Sequence, residues 1–353
     1  MHANLFMNAT TSPPASTPLS LSIYTDPTGF ETLRTEWDQL LRRSAFNSIF
    51  LAWDWQRTWW ESLGVGELLL LAWRNGEDLV GIAPLYHVCD ERGCRLHLVG
   101  CTEVADYLDL IIARGWEEEV YAGFLHFLTS VDAPRWDVIS LCNLYEPSPT
   151  YRLLPPLAQS FGLQATVEQE DVAPYLTLPP TFDEYLASLT KKQRHEIRRK
   201  RRKLEREAAN WRWFQIRGEE ELDVWVERFI QLHRLASADK EDFMTAQMAA
   251  FFHRIAHTAA RLGWLSLAFI EINGELASAM FDFDYDGRIW VYNSGYNPAI
   301  YGHLSPGIAL TSHLIEEAII SGHHTFDFLQ GDEVYKYRFG ATDAKVMNTI
   351  LKR

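Results

Sequence analysis

A strand–turn–strand segment with the same turn sequence occurs once in each half of the chain. In the first half, Leu71–Arg74, Asn75-Gly76-Glu77 and Leu79–Leu85 follow one another, and in the second, Trp264–Ile272, Asn273-Gly274-Glu275 and Leu276–Tyr285 do. Asn-Gly is typical of tight hairpins because both residues tolerate positive φ. Each hairpin is followed by a strand, a helix and a strand that opens on an aromatic residue and Asp. Unrelated α+β segments can resemble each other, but the agreement in order, length and turn chemistry favours a duplication.

The repeat and the length of 353 residues predict two domains. Residues 1–20 are rich in Ser, Thr and Pro and are expected to form a disordered leader. We expect a first α+β domain over residues 21–168 and a second over residues 169–353. The joint is expected between residues 165 and 190, where Pro174, Pro179 and Pro180 interrupt the pattern.

Composition excludes several classes of protein. With 47% hydrophobic and 23% charged residues, the chain is globular. A net charge of −14 disfavours a general nucleic-acid-binding protein. The longest apolar run, Leu68–Trp73, is too short to insert into a membrane. The four cysteines lack the C-x-x-C spacing of zinc sites, so we expect core residues or free thiols in a reduced, cytoplasmic protein.

The residues with the most chemistry lie between Ile289 and Gly340. Ile289–Gly295 is expected to be a strand, and Ser305-Pro306-Gly307 to begin a helix, with Ser305 as the N-cap and Pro306 at the first position. A helix start offers unpaired N–H groups that can hold a phosphate, and Gly307 would allow a ligand to approach closely.

A second strand, Thr325–Leu329, ends before Gln330-Gly331-Asp332-Glu333. The two strand ends are expected to bring polar side chains to one edge of the sheet, which are Asn293, Ser294, Asp332, Glu333, Tyr335 and Lys336. A capped helix with a polar loop and no ligand would explain the same pattern. The crowding of acid, phenol and amine in Asp332–Lys336 favours a functional site.

These segments resemble a known family. Tyr292-Asn293-Ser294-Gly295-Tyr296-Asn297-Pro298, Ser305-Pro306-Gly307 and Phe326-Asp327-Phe328-Leu329-Gln330-Gly331-Asp332-Glu333-x-Tyr335-Lys336 look like the cellulose-biosynthesis-type acetyltransferases. These form a branch of the GNAT acetyltransferase superfamily, close in fold to the Fem peptidyltransferases. The resemblance covers residues 170–345, and more loosely 20–165. It implies two tandem acetyltransferase-like (GNAT) domains, each with a mixed, mainly antiparallel sheet flanked by helices.

The resemblance also implies acyl transfer from an acyl-CoA such as acetyl-CoA to an amine or hydroxyl acceptor, without a metal. The acceptor would be a small molecule or saccharide in polysaccharide or cell-envelope precursor synthesis. Asp332 or Glu333 would be the base, Tyr335 the acid for the thiolate, and Lys336 a charge on the acceptor or carbonyl. The residues assigned to the donor are Asn293, Ser294, Gly295, Ser305 and Gly307, and Tyr292 is assigned to the substrate. The superfamily's pyrophosphate motif, Gln/Arg-x-x-Gly-x-Gly/Ala, is replaced here by His303-Leu304-Ser305-Pro306-Gly307.

A basic helix over residues 189–207 is unusual in such an acidic chain. Ten Lys and Arg residues, among them Arg198, lie between Lys191 and Arg206. They could bind tRNA, as in Fem-type transferases, or an anionic acceptor. They could equally be a solvated face of a helix that packs through Leu189, Ile197 and Leu204. The overall charge makes nucleic-acid binding the less favoured alternative, and a non-catalytic binding module on the same fold remains open.

Other patterns indicate structure rather than chemistry. His253 and His257 are four residues apart on a predicted helix but lack a third ligand in sequence, so no metal site is expected. No Gly-x-Ser-x-Gly elbow of a serine hydrolase occurs. Trp53, Trp55, Trp59 and Trp60 are expected to pack in the first core.

Overall fold

The computed structural model describes residues 19–101 and 104–353, so most of the expected leader lies outside the described residues. The first half contains β1 (Ser20–Tyr24), α1 (Thr28–Arg43), α2 (Trp53–Leu63), β2 (Glu67–Asn75), β3 (Asp78–Asp90), β4 (Gly93–Leu98), β5 (Ile111–Ile112), α3 (Glu117–Thr129), β6 (Val138–Tyr145), α4 (Thr150–Ser160) and β7 (Gln164–Thr177). A short 3₁₀ turn, Ile49–Leu51, precedes α2. Two helices, α5 (Phe182–Ser188) and α6 (Lys191–Glu207), connect the halves.

The second half repeats this order. It contains β8 (Trp211–Ile216), α7 (Leu222–Ala236), α8 (Ala238–Phe243), α9 (Ala246–Leu262), β9 (Leu265–Ile272), β10 (Glu275–Tyr285), β11 (Arg288–Tyr296), a 3₁₀ turn (Gly302–Leu304), α10 (Pro306–Ile320), β12 (Thr325–Asp327), α11 (Val334–Arg338) and β13 (Thr342–Lys352). The α+β class with two GNAT-like units, expected from the sequence, is therefore confirmed. In the β9–β10 turn, Asn273 and Gly274 both adopt positive φ, as the hairpin signal predicts.

The described strands form one continuous sheet in which the halves exchange their last strands. The order is β1-β2-β3-β4-β6-β13-β7-β12-β11-β10-β9-β8, with β5 beside β3. The last strand of the first half, β7, pairs with β12 of the second half, whereas β13 pairs with β6 of the first half. β7 and β13 also pair with each other along their length. Each half therefore needs a strand from the other half to complete its sheet. The expected boundary between residues 168 and 169 lies inside β7 and stays a prediction.

A buried ion pair also joins the halves. Asp327, at the end of β12, is fully buried and accepts hydrogen bonds from Arg288 at 2.8 Å and from the Tyr107 hydroxyl of the first half at 2.9 Å. The Leu329 N–H donates to the same carboxylate. The guanidinium of Arg288 stacks over Phe46 of the first half. Removing one partner would leave an uncompensated buried charge, which makes this contact between the halves costly to break.

Two local expectations are wrong. The strand expected from Tyr107 to Ala113 is reduced to Ile111–Ile112, because the Asp109 carboxylate accepts hydrogen bonds from Leu110 N–H and the Thr150 hydroxyl and turns the chain out of the sheet. The free-thiol alternative is wrong for all four cysteines, although Cys94 and Cys142 are buried as core residues. Disulfides join Cys89 to Cys94 and Cys101 to Cys142. The fold brings each pair together, although the partners are 5 and 41 positions apart in the sequence.

Two packing expectations hold. Trp53, Trp55 and Trp59 are buried in the core, with Trp60 packed against it. The basic helix α6 buries Ile197 and Leu204, together with the stem of Lys200, and exposes most of its cations. Among the described helices, none is long and apolar enough to cross a membrane.

We predict that a charge placed in the exchanged strand β13 destabilises both halves together. Val346 is fully buried between Tyr145 of β6 and Asp171 of β7. Val346→Asp should lower the free energy of unfolding by about 3 kcal/mol or more, because it buries an uncompensated charge. Hydrogen exchange should accelerate in β2–β3 and in β9–β10 to a similar extent. Lys345→Gln, at the exposed neighbouring position, should change neither; faster exchange in one half alone would contradict the coupling.

Candidate functional site

A cleft of about 520 Å³ opens in the second half, between β11, the start of α10 and the segment that leads into α11. Its lining contains Ala236, Ser237, Lys240, Ser278, Met280, Ser294, Gly295, Tyr296, Gly302, Ser305, Pro306, Gly307, Ile308, Thr311, Glu333 and Tyr335. Six residues singled out from the sequence are therefore brought together, namely Ser294, Gly295, Ser305, Gly307, Glu333 and Tyr335. Asn293, Asp332, Lys336, Tyr292 and Arg198 do not line this cleft.

An irregularity in β11 creates the opening. The pairing with β10 shifts so that Phe281 faces Asn293 while Asp282 faces Val291, which leaves Tyr292 as an extra residue on β11. On its other edge β11 pairs with β12 only from Arg288 to Trp290. Leu329 then adopts positive φ and turns the chain away from β11. Past Trp290 this edge of β11 therefore has no paired strand among the described residues, and its backbone can bind an extended ligand in the manner of an added strand.

The start of α10 supplies donors for an anion. Pro306 occupies the first helical position as expected. Ser305 occupies the N-cap position as expected, but it adopts positive φ (54°) and its side chain makes no capping hydrogen bond. The first N–H groups of α10 therefore face the cleft without a side-chain cap. A Cβ at Gly307 would meet only Ser278 Oγ, at 3.6 Å, so glycine here keeps the cleft open rather than relieving a clash.

Lys336 holds the segment between β12 and α11. Its side chain is 2% exposed, and Nζ donates to the carbonyls of Leu329, Gln330 and Gly331 at 3.1, 2.6 and 2.9 Å. It also forms an ion pair of 2.8 Å with Glu333. The ammonium thus fixes the loop that carries Glu333. A direct role for Lys336 on the acceptor or carbonyl stays a prediction, and its placement favours a positioning role.

Glu333 and Tyr335 approach the cleft differently. The Glu333 side chain is 59% exposed, so solvent and an acceptor can reach its carboxylate. Burial raises the pKa of Tyr335, and the nearby carboxyls of Glu333 and Asp282 add to the effect. The phenol therefore keeps its proton at neutral pH and can donate it. Asp332 is exposed and lies outside the cleft.

Lys240 is a cleft residue that the sequence did not reveal. Its Nζ donates to the backbone carbonyl and the hydroxyl of Ser294 on β11. Burial lowers the pKa of Lys240 to about 8, with the Glu333 carboxylate opposing the shift. It lies in the short, charged helix α8, whose sequence Ala-Asp-Lys-Glu-Asp-Phe is typical of a surface turn. No periodicity or motif in the sequence marks this lysine.

Asn293 contacts α7, and Gly295, which also lines the cleft, has its Cα against the same helix. The Asn293 Oδ1 accepts from His233 Nε2 at 2.9 Å. Burial lowers the pKa of His233 to about 4, and Lys240 adds to the shift, so the imidazole is neutral. A Cβ at Gly295 would lie 2.5 Å from the His233 backbone nitrogen. Glycine is therefore required here by the approach of α7.

The first half contributes the wall behind β11. Tyr292 donates its hydroxyl proton to the carbonyl of Val104 at 3.0 Å and is otherwise surrounded by aromatic rings. The backbone carbonyl of Asp106 accepts from Gln330 Nε2 at 2.6 Å. Burial raises the pKa of the Asp106 side chain to about 7, although Lys336 opposes the shift. The sequence placed Asp106 just before an ordinary strand and gave no sign that it approaches Lys336.

Arg198 lies on a second surface, the α6 groove, which is lined by Lys191, Arg194, His195, Arg198, Arg199, Arg202, Lys203 and Arg206. This groove is separate from the cleft. Lys203 Nζ donates to the carbonyl of His303 at 2.9 Å, so one end of α6 is fixed beside the 3₁₀ turn whose Gly302 lines the cleft.

The equivalent helix of the first half lacks an anion site. α3 occupies the place of α10 in the repeat, but its first turn carries Glu117, Glu118 and Glu119. Three carboxylates at a helix N-terminus satisfy the helix dipole and repel a phosphate. Within the described residues, the second half therefore combines an open sheet edge with a helix start that carries no acidic residue.

Comparisons with known proteins agree with this geometry. Residues 191–337 match the family described as "Acetyltransferase (GNAT) domain". No curated protein matches the chain. The crystal structure of FemX is similar in fold, with a TM-score of 0.65 at 10% identity, over 89% of this chain and 95% of FemX. A conserved protein of unknown function from Bacteroides thetaiotaomicron has a TM-score of 0.55 at 10% identity, over 90% of this chain and 97% of that protein. The chain thus has the GNAT/Fem fold, and its residues 191–337 match the GNAT acetyltransferase family.

Proposed function

We propose that the protein transfers an acyl group from an acyl-CoA, such as acetyl-CoA, to an amine or hydroxyl acceptor. The observation that carries the proposal is the meeting, in one cleft, of the uncapped start of α10, the open edge of β11, an accessible carboxylate and a protonated phenol. A GNAT domain over residues 191–337 supports the reaction class. By resemblance to the cellulose-biosynthesis-type branch, the acceptor is a saccharide or a precursor of the cell envelope, and the reaction is cytoplasmic, where acyl-CoA is made.

Each part of an acyl-CoA donor has a surface in the cleft that would bind it. The pyrophosphate binds the N–H groups at the start of α10, with Gly307 allowing close approach. The amides of the extended pantetheine arm pair with the free edge of β11. Backbone N–H groups beyond the irregularity at Tyr292 polarise the thioester carbonyl. The donor roles expected from the sequence thereby belong to Ser294, Gly295, Ser305 and Gly307. Asn293 has an indirect role, because its hydrogen bond with His233 positions the backbone of β11.

The chemical step uses the two groups at the entrance to α11. Glu333 accepts the proton of the acceptor nucleophile, directly or through water, as the nucleophile attacks the carbonyl carbon. The carbon–sulfur bond breaks, and Tyr335 donates its proton to the departing thiolate. Lys336 positions Glu333, and Lys240 holds the β11 backbone at Ser294. The exposed Asp332 is the alternative base.

We predict that Glu333→Gln and Tyr335→Phe each lower kcat by about 100-fold or more, the usual contribution of a positioned acid or base. The measurement is steady-state acyl transfer with an identified acceptor. Asp332→Asn is the matched control, because Asp332 precedes Glu333 but lies outside the cleft, and it should leave kcat unchanged. Unchanged turnover in both cleft variants would refute the assignment, and a loss confined to Asp332→Asn would move the base to that residue.

We predict that acetyl-CoA raises the unfolding temperature of the wild-type protein and has a much smaller effect on Gly307→Ala. Saturation at about 100 times Kd adds roughly 2.7 kcal/mol. The added methyl group has room beside Ser278 and favours the helix, so the variant should fold as well as the wild type without ligand. It would occupy the space above the α10 N–H groups and weaken donor binding about tenfold or more. Equal shifts in both proteins, or none with any acyl-CoA, would contradict the donor site and favour a binding module.

We predict that donor affinity falls as the pH rises through about 8. Below this pH, Lys240 is an ammonium that donates to Ser294; above it, the amine loses its charge and one proton. The pKa is lowered relative to that of an ordinary lysine, so the loss begins well below pH 10. Isothermal titration with acetyl-CoA from pH 6.5 to 9.5 measures the effect. Lys240→Met should show weaker binding at pH 7 and no change near pH 8, whereas a persistent step near pH 8 would assign it to another group.

The α6 groove supports a second candidate, an aminoacyl-tRNA donor of the kind used by Fem-type transferases. Arg194, Arg198 and Arg202 are free of ion pairs within the described part of the chain. Arg199 and Arg201, by contrast, pair with Glu196 and Glu316 and contribute to the fold. The groove is a concentrated cationic surface on a chain whose net charge is −14.

We predict no tRNA binding at physiological salt, because the acidic remainder of the chain repels a long polyanion. The measurement is filter binding over a salt series, with wild type and an Arg194→Gln, Arg198→Gln, Arg202→Gln triple variant. Binding through the groove would weaken with log salt by about 0.7 per contact, and the variant would reduce that slope. Tight, salt-sensitive binding that the triple variant abolishes would replace the acyl-CoA proposal with a tRNA-dependent one.

A further inference from the structure

The hairpin of β3 and β4 in the first half brings two sulfur atoms and an imidazole to one face of the sheet. Cys89 and Cys94 are paired across the hairpin with a Cα–Cα distance of 4.1 Å. His87 precedes Cys89 by two residues, which places both side chains on the same face of β3. Within residues 19–101 and 104–353, these three form a group whose ligand atoms all lie within 4.8 Å of one another.

A carboxylate stands behind the imidazole. Glu67 of β2 is paired with His87, and its Oε2 lies 3.7 Å from His87 Nδ1. On the other side of the ring, His87 Nε2 lies 3.4 Å from Cys89 Sγ. The carboxylate is within ion-pair distance of Nδ1 but beyond a hydrogen bond. A small approach would create the carboxylate–imidazole pair that fixes the tautomer of metal-binding histidines.

We propose that the reduced hairpin is a binding site for a thiophilic divalent cation such as Zn²⁺, held by Cys89 Sγ, Cys94 Sγ and His87 Nε2, with water as the fourth ligand. Two thiolates and one imidazole form a donor set that zinc accepts in proteins. The three residues come from neighbouring positions of one hairpin, so few backbone degrees of freedom must be fixed on binding. The C-x₄-C spacing does not match the C-x₂-C spacing typical of zinc loops, so the sequence alone does not reveal the site. Strand pairing across the hairpin brings the two cysteines together.

Oxidation state controls this site. In the disulfide form, the sulfur atoms are bonded to each other and His87 Nε2 donates to the carbonyl of Arg135 at 2.8 Å. A dithiol reductant gives two electrons and two protons to the disulfide, which breaks the S–S bond and oxidises the reductant to its own disulfide. The cation then displaces the two thiol protons, which pass to solvent. The His87 imidazole changes tautomer, its proton moving from Nε2 to Nδ1, so that Nε2 leaves the Arg135 carbonyl and binds the cation with its lone pair. Cys89 is exposed, so a reductant can reach the bond.

A second histidine group provides the comparison. His253 and His257 of α9 both hydrogen-bond to the Asp223 carboxylate, at 3.0 and 2.9 Å. Asp223 is the third potential ligand, which the sequence did not reveal. No thiol is among the ligand atoms of this second group. Cobalt distinguishes the two groups, because thiolate ligands give Co²⁺ an intense near-ultraviolet absorption that imidazole and carboxylate do not.

The experiment titrates the full chain with Co²⁺ and then with Zn²⁺, after treatment with a phosphine reductant or with an oxidant, and a thiol assay verifies each state. The reduced protein should bind one cation per chain with thiolate–cobalt absorption, which Zn²⁺ abolishes. The oxidised protein should bind at least about 100-fold more weakly, because it has lost two of three ligands. No thiolate–cobalt absorption in the reduced protein, or equal binding in both states, would overturn the proposal.

Variants assign the ligands. Cys89→Ser, at an exposed position, and His87→Asn should each abolish tight binding, and Glu67→Gln should weaken it about tenfold through the imidazole. The double variant His253→Asn, His257→Asn should bind like the wild type. Unfolding temperatures of the metal-free variants verify that they are folded. Binding that survives Cys89→Ser, or that is lost only in the His253/His257 variant, would place the cation elsewhere and refute the site.

Discussion

The exchange of β7 and β13 between the halves is the constraint on which the rest of the structure depends. Each strand closes the sheet of the opposite half, and the two pair with each other at the centre. The halves therefore cannot separate without exposing two long strand edges at once. The family match ends at residue 337 and begins at residue 191, so it contains neither exchanged strand. The sheet of the matched region is complete only with strands that lie outside that region.

The same constraint makes the cleft rigid on one side and open on the other. Behind β11, Tyr292 bonds to Val104 of the first half, and Asp327 is held by Arg288 and Tyr107. In front, β12 ends after three residues and Leu329 turns the chain away. The strain of a non-glycine residue with positive φ is supported there by the Asp327–Leu329 and Lys336–Leu329 hydrogen bonds. The gap between β11 and β12 is therefore fixed in the absence of a ligand, which reduces the entropy cost of binding.

Local patterns in the sequence predicted the elements well, because hairpin turns and helical periodicity depend on near neighbours. The Asn273-Gly274 turn, the helix beginning at Pro306 and the buried stripe of α6 all follow from spacing of a few residues. The strand exchange was not predicted, because Pro174 marked the segment of β7 as the joint between the domains and no strand was predicted at β13. Lys240, Asp106 and the Cys89–Cys94 pair were missed because their partners lie far along the chain or across a hairpin. Six residues singled out from the sequence line the cleft, but residue type and spacing could not show that the Ser305 side chain makes no capping hydrogen bond.

The two halves differ at the helix start that borders the cleft in the second half. In the second half, α10 begins with Pro306 and Gly307, which leave its N–H groups bare; in the first, α3 begins with three glutamates that neutralise the same positive end. The first half also fills the gap that the second leaves open. Asp109 turns the chain beside α4 and bonds to Thr150, and Asn143 places its amide on the carbonyl of Ala105. Burial raises the pKa of Asp109 to about 6, although bonds from Ser148 and Thr150 oppose the shift. These side chains hold the loop that contains Val104, whose carbonyl accepts the hydrogen bond from Tyr292 of β11. The first half thus supports the cleft of the second half.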